Sequence, residues 1–242
     1  MTAIKIGTAG WSIPRQNSDS FPVNGSALER YASRFPVVEI NSSFHRPHRS
    51  STWERWRDSV PAAFRFSVKL PKQITHERKM VDCGELLSEF ADQTSLLGEK
   101  LGVLLVQLPP KLMFDGALVS HFFSELAARS AVRVACEPRN LTWFTPSADA
   151  LLDRLGVARV AADPAICPEA ARPGGWRGLS YWRLHGSPVK YRSSYQDRIG
   201  AYSVEMGREA LAGRDAWCIF DNTASSAAMG DALALIDATA RH

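Results

Sequence analysis

Residues 103–137, VLLVQLPPKLMFDGALVSHFFSELAARSAVRVACE, decide the fold. The stretch opens on an apolar run, Val103-Leu104-Leu105-Val106-Gln107-Leu108. It closes on a second, Val132-Arg133-Val134-Ala135-Cys136-Glu137. Between them Pro109-Pro110 break the chain and Ala117–Ala128 reads as a helix. Apolar runs this short, rich in branched residues and separated by a helix, are the mark of a βαβ unit with parallel strands.

Six more runs of the same kind flank this unit. Upstream are Ala3–Thr8, Val37–Asn41 and Phe64–Lys69; downstream are Val157–Ala162, Leu179–Leu184 and Ala216–Phe220. Helical segments lie between most of them. Ser26-Ala27-Leu28-Glu29 is a capping-box pattern, opening a helix that runs to about Phe35. Thr52–Trp56 reads as a short helix whose Trp53 and Trp56, three apart, fill the core. Glu85–Leu101 is expected to be the longest helix, buried through Leu86, Leu87, Phe90, Leu96, Leu97 and Leu101 and ended by Gly102. Further helices are expected over Ser147–Leu155 with a stop at Gly156, over Ile199–Ala212 and over Ser225–Thr239. Asp163–Gly178, with Pro164, Pro168, Pro173, Gly174 and Gly175, reads as an irregular sixth connection. Eight strands in 242 residues predict a single (β/α)8 TIM-like barrel, a fold of about 250 residues. Periodicity alone leaves a doubly wound open sheet as the alternative.

Composition narrows the class. Hydrophobic residues make up 45% of the chain and charged residues 22%, as in ordinary globular proteins. Lysine and arginine number 29 against 25 acidic residues, a formal charge of +4. The basic residues form no run, so an anionic small molecule or nucleic acid is permitted as partner without being required. The four cysteines form no Cys-x-x-Cys pair, which excludes a zinc ribbon and a redox dithiol. Met1–Ile6 leads into a strand and does not read as a signal peptide. No apolar run reaches the ~20 residues that span a bilayer, so a cytoplasmic location with no membrane partner is expected. No P-loop, dinucleotide-binding glycine pattern or Gly-x-Ser-x-Gly elbow is present, so there is no organic cofactor motif.

In a barrel of this type the chemistry sits where the strands end. Polar residues cluster there. The first run ends in Gly7-Thr8-Ala9-Gly10-Trp11. The second carries Glu39 and Asn41, and the third ends at Lys69, with His76 soon after. The fourth carries Gln107, and the fifth Glu137 and Arg139. The sixth ends at Asp163, the seventh at Arg183 and His185, and the eighth at Asp221 and Asn222. A carboxylate such as Glu39 between Val38 and Ile40 is costly to bury without a partner. Two readings follow: these groups pair with one another as a structural ion network, or they line a pocket.

The motifs resemble, in order, those of the YecE-like proteins, the domain-of-unknown-function family 72. Gly7-Thr8-Ala9-Gly10-Trp11, Val38–Phe44, Phe66–Lys69 with Ile74-Thr75-His76, Gln107-Leu108-Pro109-Pro110, Glu137-Pro138-Arg139 with Trp143, Tyr181–Gly186 and Phe220-Asp221-Asn222 carry the likeness. Any one is weak; seven in order span essentially the whole chain. The resemblance implies a TIM-like barrel and names no reaction. Three positions depart from the family pattern. Ser12-Ile13-Pro14 lacks an aromatic residue, His45 stands where a tyrosine is usual, and Asp221 replaces an asparagine.

The residues themselves point to a hydrolase or lyase acting on a phosphate-bearing ligand, a phosphosugar or nucleic acid. In this expectation Arg139, Arg183 and Lys69 hold the anion. Glu39, Glu137 and His185 move protons, Asn41 and Asn222 orient the ligand, and Trp11, His76, Gln107, Asp163 and Asp221 line the pocket. A divalent metal is a further reading, since Glu39, His76, Glu137, Asp163, His185 and Asp221 offer donors on separate strands, without a His-x-His or His-Glu-x-x-His spacing. The alternative function is non-catalytic binding of a ligand or nucleic acid, through Tyr191, Tyr195 and Tyr202 interleaved with Lys190, Arg192 and Arg198.

Overall fold

A computed structural model describes residues 4–240. The strands are β1 Lys5–Thr8, β2 Val37–Ile40, β3 Arg65–Lys69, β4 Leu101–Gln107, β5 Arg133–Glu137, β6 Val157–Arg159, β7 Ala161–Asp163, β8 Gly174–Gly175, β9 Leu179–Leu184 and β10 Asp215–Phe220. The helices are α1 Ala27–Ala32, α2 Ser50–Asp58, α3 Gly84–Ser95, α4 Gly116–Arg129, α5 Pro146–Arg154, α6 Ile199–Leu211 and α7 Ala227–Thr239. All eight expected runs contain strand, the sixth interrupted at Val160; Ala3 of the first lies outside the described residues.

The strands form two sheets, ordered β2-β3-β4-β5-β6-β8 and β1-β10-β9-β7. Every pairing is parallel except that of β6 with β8. The interrupted sixth run belongs to both sheets: β6 pairs with β5, and β7 pairs with β9. At the other margin an isolated parallel bridge joins Ala9 to Glu39, and the Gly10 N–H donates to the Glu39 carbonyl at 2.9 Å. Gly7 permits this approach. A Cβ there would lie 2.2 Å from the Val37 carbonyl oxygen, a backbone atom that cannot swing aside.

Side chains alternate between the two faces of a strand, and two apolar clusters follow from that alternation. Val38, Ile40, Phe66, Val68, Leu104, Val106 and Trp182 belong to one, together with helix residues such as Leu28, Phe90, Phe122 and Leu235. Val37, Val103, Leu105, Ala135, Ala158, Val160, Tyr181, Trp217 and Ile219, from both sheets, form the other. The second face therefore belongs to an inner core with no helix residue in it. At the N-terminal strand ends this inner face is closed by Asp215, which pairs with Lys5 and Arg133 and accepts the Trp217 Nε1 hydrogen at 3.0 Å.

Three expectations need correction. The helix predicted over Glu85–Leu101 ends at Ser95, followed by a single tight turn over Gly98–Lys100. Gly102 lies inside β4 and ends no helix; the chain reverses at Gly98, whose φ of +56° is the left-handed conformation that suits glycine. The longest helix is α4, with 14 residues against 12 for α3. The sixth connection is irregular as expected, but it also returns as β8, where Trp176 N–H donates to the Val157 carbonyl at 2.9 Å. Among the described residues no helix is long and apolar enough to cross a membrane.

Gly7→Ala should lower stability by about 1–3 kcal/mol through overpacking against the Val37 carbonyl. Thermal melts check this: each kcal/mol is worth roughly 2–4 °C in a domain of this size.

Candidate functional site

The same alternation that builds the inner core carries it up to the strand ends, where its side chains become polar. On β9, Tyr181, Arg183 and then His185 succeed one another at spacing two. Glu39 stands on β2, Ser67 and Lys69 on β3, Gln107 on β4, Glu137 on β5, and Asp221 just beyond β10.

Arg183 is the centre of the arrangement and is fully buried. Its Nε donates to Glu39 Oε2 at 3.0 Å and its Nη2 to Glu39 Oε1 at 2.6 Å. Its Nη1 donates to Glu137 Oε2 at 2.5 Å, and Nη2 also reaches Asp221 Oδ2 at 3.1 Å. Glu39 accepts a further bond from Tyr181 Oη at 3.1 Å, and Tyr181 lies 2.8 Å from Ser67 Oγ. Glu137 accepts from Gln107 Nε2 at 3.0 Å and pairs with Arg139 Nη2 at 2.5 Å. Dehydration raises the energy of every charge here, and opposite charges at contact distance offset it. For Glu137, burial pushes the carboxyl up, but Arg183, Arg139 and His185 hold it well below the ordinary range. Burial acts on Asp221 in the same sense, and Arg183 and His185 again hold it low. Burial would lower the Arg183 pKa; Glu39, Glu137 and Asp221 hold it well above its ordinary value.

His185 is buried between two carboxylates. Its Nδ1 lies 2.9 Å from Asp221 Oδ2 and its Nε2 2.9 Å from Glu137 Oε1. The same Nε2 lies 3.1 Å from Arg139 Nη2. A doubly protonated ring donates through Nε2 to Glu137; a singly protonated ring can accept there from Arg139. Nε2 thus has both an acceptor and a donor within hydrogen-bond distance.

Lys69 contrasts with Arg183. It is buried, with 8% exposure, yet among the described residues its Nζ has no hydrogen-bond acceptor and no carboxylate at ion-pair distance. It sits 4.2 Å from the centre of the Phe44 ring. Burial first, and then the nearby Arg183 charge, bring its pKa down to about 8, against the pull of Glu39, Glu137 and Asp221. His76 bonds Thr75 Oγ1 at 2.8 Å and meets the Phe44 ring edge-on. Burial and the charges of Lys69 and Arg139 lower its pKa. Arg139 Nε and Asn41 Oδ1 are shielded from solvent and have no partner within the protein. Phe44 also lines a cavity of about 380 Å³ with Trp53, Pro71, Ile74, Leu86 and Phe90.

Two residues that sequence reasoning did not assign to the site belong to it. Tyr181 was legible, being two residues before Arg183 on the same strand face. Lys190 stood in the sequence only as one of the basic residues around the tyrosines. It is exposed at the rim, where loss of water around its ammonium and then the charge of Arg139 lower its pKa. Tyr191 beside it meets the His185 ring edge-on at 5.9 Å.

Other expected residues are held elsewhere or differently. Arg183 and Glu39 were expected to hold an anion and to move a proton. Both are fully buried and bound to each other and their neighbours, so they form the supporting ion network. Glu137 is likewise held on both oxygens, and its carboxyl lies well below the ordinary range. Asp163 faces away toward Arg198 Nη1 at 2.7 Å and Tyr202 Oη at 2.5 Å. Asn222 is fully buried and donates to Asp231 Oδ2 at 2.7 Å and the Ser193 carbonyl at 2.9 Å, so it secures α7 and a loop. Trp11 packs edge-on against Trp56 at 5.2 Å, in an aromatic group with Trp53 and His48. As for metal, among the described residues no group of three or more histidine, cysteine, aspartate or glutamate side chains is set to hold an ion.

Comparison with known proteins places the chain. The family described as "Protein of unknown function DUF72" matches residues 5–242. The chain belongs to the DUF72 family. The UPF0759 protein YecE of Escherichia coli K12 is 32% identical over 106 residues, 44% of this DUF72 chain and 38% of YecE. The match thus spans well under two thirds of that relative's length. Two solved DUF72 proteins share the fold at 20% identity. One, from Enterococcus faecalis V583, has a TM-score of 0.81, covering 98% of this chain and 96% of its own. The other, from Thermotoga maritima MSB8, has a TM-score of 0.80, covering 97% and 98%. A xylose isomerase-like TIM barrel/4-hydroxyphenylpyruvate dioxygenase fusion protein resembles it more distantly, at 14% identity and a TM-score of 0.52, over 96% of this DUF72 chain and 41% of the fusion.

Arg183→Ala should leave three buried carboxylates around an empty space and destabilise the fold by about 3–5 kcal/mol. Denaturant melts read the loss. Acid should do similar damage. Glu137 and Asp221 are more acidic folded than their ordinary values of 4.5 and 3.8, so the unfolded chain takes up protons first as pH falls. Their stabilisation should be complete above about pH 5 and decline steadily below it. A stability curve flat between pH 6 and 3 would contradict this account of the two carboxylates.

Proposed function

We propose that this chain is an enzyme of the hydrolase or lyase type that takes a phosphate-bearing small molecule at the strand ends, within a single domain whose two sheets close into one eight-membered (β/α)8 ring. The observation that carries the reading is a gathering of like charge. Lys69, Arg139 and Lys190 gather at the same strand ends; burial first and then these cations lower the pKa of Lys190 and of nearby His76, with Glu137 and Asp221 pulling the other way on Lys190. Arg139 keeps one shielded guanidinium N–H without a partner, and among the described residues Lys69 has the Phe44 ring, not an acceptor atom, against its ammonium. Cations placed together with unused donors suit an anion, and a guanidinium with an ammonium suits phosphate in particular.

Below this rim Arg183, Glu39 and Glu137 act as a rigid base plate. His185 is the proton carrier, because its Nε2 has an acceptor on one side and a donor on the other. Asp221 orients the ring through Nδ1, the role a carboxylate behind a histidine commonly fills. Asn41, with its oxygen unpartnered, is a further contact for the ligand. The closed ring is supported by the shared run of β6 and β7 at one margin and the Ala9–Glu39 bridge at the other. A second reading is a binding protein without turnover, favoured by Tyr191 and Lys190 at the rim, where an aromatic ring beside a cation suits a nucleobase and its phosphate.

Calorimetric titration with pyrophosphate, glycerol phosphate, phosphosugars and short single-stranded DNA tests the reading. Arg139→Ala should weaken a phosphate-bearing ligand at least tenfold, about 1.4 kcal/mol. His185→Asn should preserve binding and lower turnover by about 10²–10⁴. Binding without product, in wild type and variant alike, would favour the binding protein; no binding at millimolar concentration would remove the anion site.

A further inference from the structure

We propose that Lys69 is a covalent catalyst, condensing through its amine with the carbonyl carbon of an aldehyde or ketone substrate to form an iminium. The geometry separates this lysine from every other in the chain. Lys5 pairs with Asp215, Lys72 lies 3.1 Å from Glu77, and Lys100 donates to the Arg57 and Val60 carbonyls at 2.5 and 2.6 Å. Lys79, Lys111 and Lys190 are exposed. Lys69 alone is buried without a carboxylate or carbonyl to hold its ammonium, although it stands at a strand end beside the densest cluster of charges in the structure.

Burial and two neighbours explain why an amine here would react. Burial comes first in disfavouring the ammonium, and the Arg183 guanidinium, locked in place by its carboxylates, adds to it, while Glu39, Glu137 and Asp221 pull the other way. A buried lysine next to a fixed cation is a recognised way of exposing the amine lone pair near neutral pH. The lowered pKa of about 8 agrees with that geometry. Finally, the Phe44 ring at 4.2 Å offers its π face to a cation without taking a proton or a hydrogen bond. It stabilises ammonium and iminium alike, so the charge that exists before condensation is still accommodated after it.

The step balances without any further reagent. The nitrogen lone pair forms the C–N bond while the carbonyl π pair moves to oxygen. That oxygen takes up two protons, matching the two that the ammonium loses overall, and departs as water when the C–O bond breaks. The iminium keeps the single positive charge. It then draws electrons from a neighbouring C–H or C–C bond, the proton of a broken C–H bond passing to His185, the proton carrier of the proposed function. This narrows the lyase reading to substrates carrying a carbonyl. The phosphate on such a substrate rests on the anion site proposed above; the reactivity of the amine does not.

Reductive trapping of the wild-type protein with sodium cyanoborohydride and either dihydroxyacetone or dihydroxyacetone phosphate, followed by peptide mass mapping, tests the assignment. Lys69 should be alkylated at least tenfold faster than any of the other six lysines with dihydroxyacetone, and faster again with the phosphate ester. Labelling of Lys69 no faster than that of exposed Lys79 and Lys111, with both probes, would overturn the proposal. Fast labelling of Lys69 with equal rates for the two probes would uphold the amine and remove the anion site.

Discussion

The ion cluster around Arg183 is the constraint to which the rest of the structure is fitted. A guanidinium with no exposure must have its donors met inside the protein, and three carboxylates from separate strands meet them. Those carboxylates can stand at contact distance only if β2, β5, β9 and the turn after β10 arrive at one level. The inner apolar cluster sets that level, because Val37, Ala135, Tyr181 and Ile219 lie two residues before Glu39, Glu137, Arg183 and Asp221. Packing below and charge pairing above are thus two consequences of one strand register. Dehydration makes each ion expensive alone, and the network is stable only as a set.

This division of labour separates support from chemistry. Arg183, Glu39 and Glu137 are deep and saturated. Lys69, Arg139, His185 and Lys190 lie above them with donors or alternate partners still available. Asp221 links the two levels, holding Arg183 on one side and His185 on the other through the same oxygen. An asparagine at this position would bring no charge to either contact. The aspartate therefore couples the Arg183 network to the His185 ring by charge as well as by hydrogen bonding.

Much of the fold was legible because strand length and alternation are local properties. Leu179–Leu184 could be read to the residue, and the Ser26–Glu29 capping box forms with both of its bonds. What failed was punctuation decided at a distance. Gly102 looks like a helix stop, yet Leu101 and Gly102 are drawn into β4 by pairing with β3, and the true turn is made by Gly98. Gly174-Gly175 has no side chains to signal a strand, and it becomes one because Arg159 and Ala158 offer it free backbone groups. At the site, residue type and strand-end position pointed to Glu39, Lys69, Gln107, Glu137, Arg139, Arg183, His185 and Asp221, and these side chains stand at neighbouring strand ends. Which were structural could not be read, since saturation of a guanidinium depends on carboxylates up to 144 residues away. Asp163 and Asn222 misled for the same reason: their partners, Arg198, Tyr202 and Asp231, come from later helices or the turns that open them.

Glu39 has a double attachment. Its carboxylate grips Arg183 across the inner core, while its backbone carbonyl receives the Gly10 amide that brings β1 alongside β2. One residue thus ties the margin between the sheets and braces the floor of the site. Tolerance to change at this position is correspondingly narrow: a change in acidity or side-chain length would disturb the sheet margin and the ion network together. The rim residues carry no such double duty. Lys190, Tyr191 or His76 can be exchanged there while the frame beneath stays unchanged.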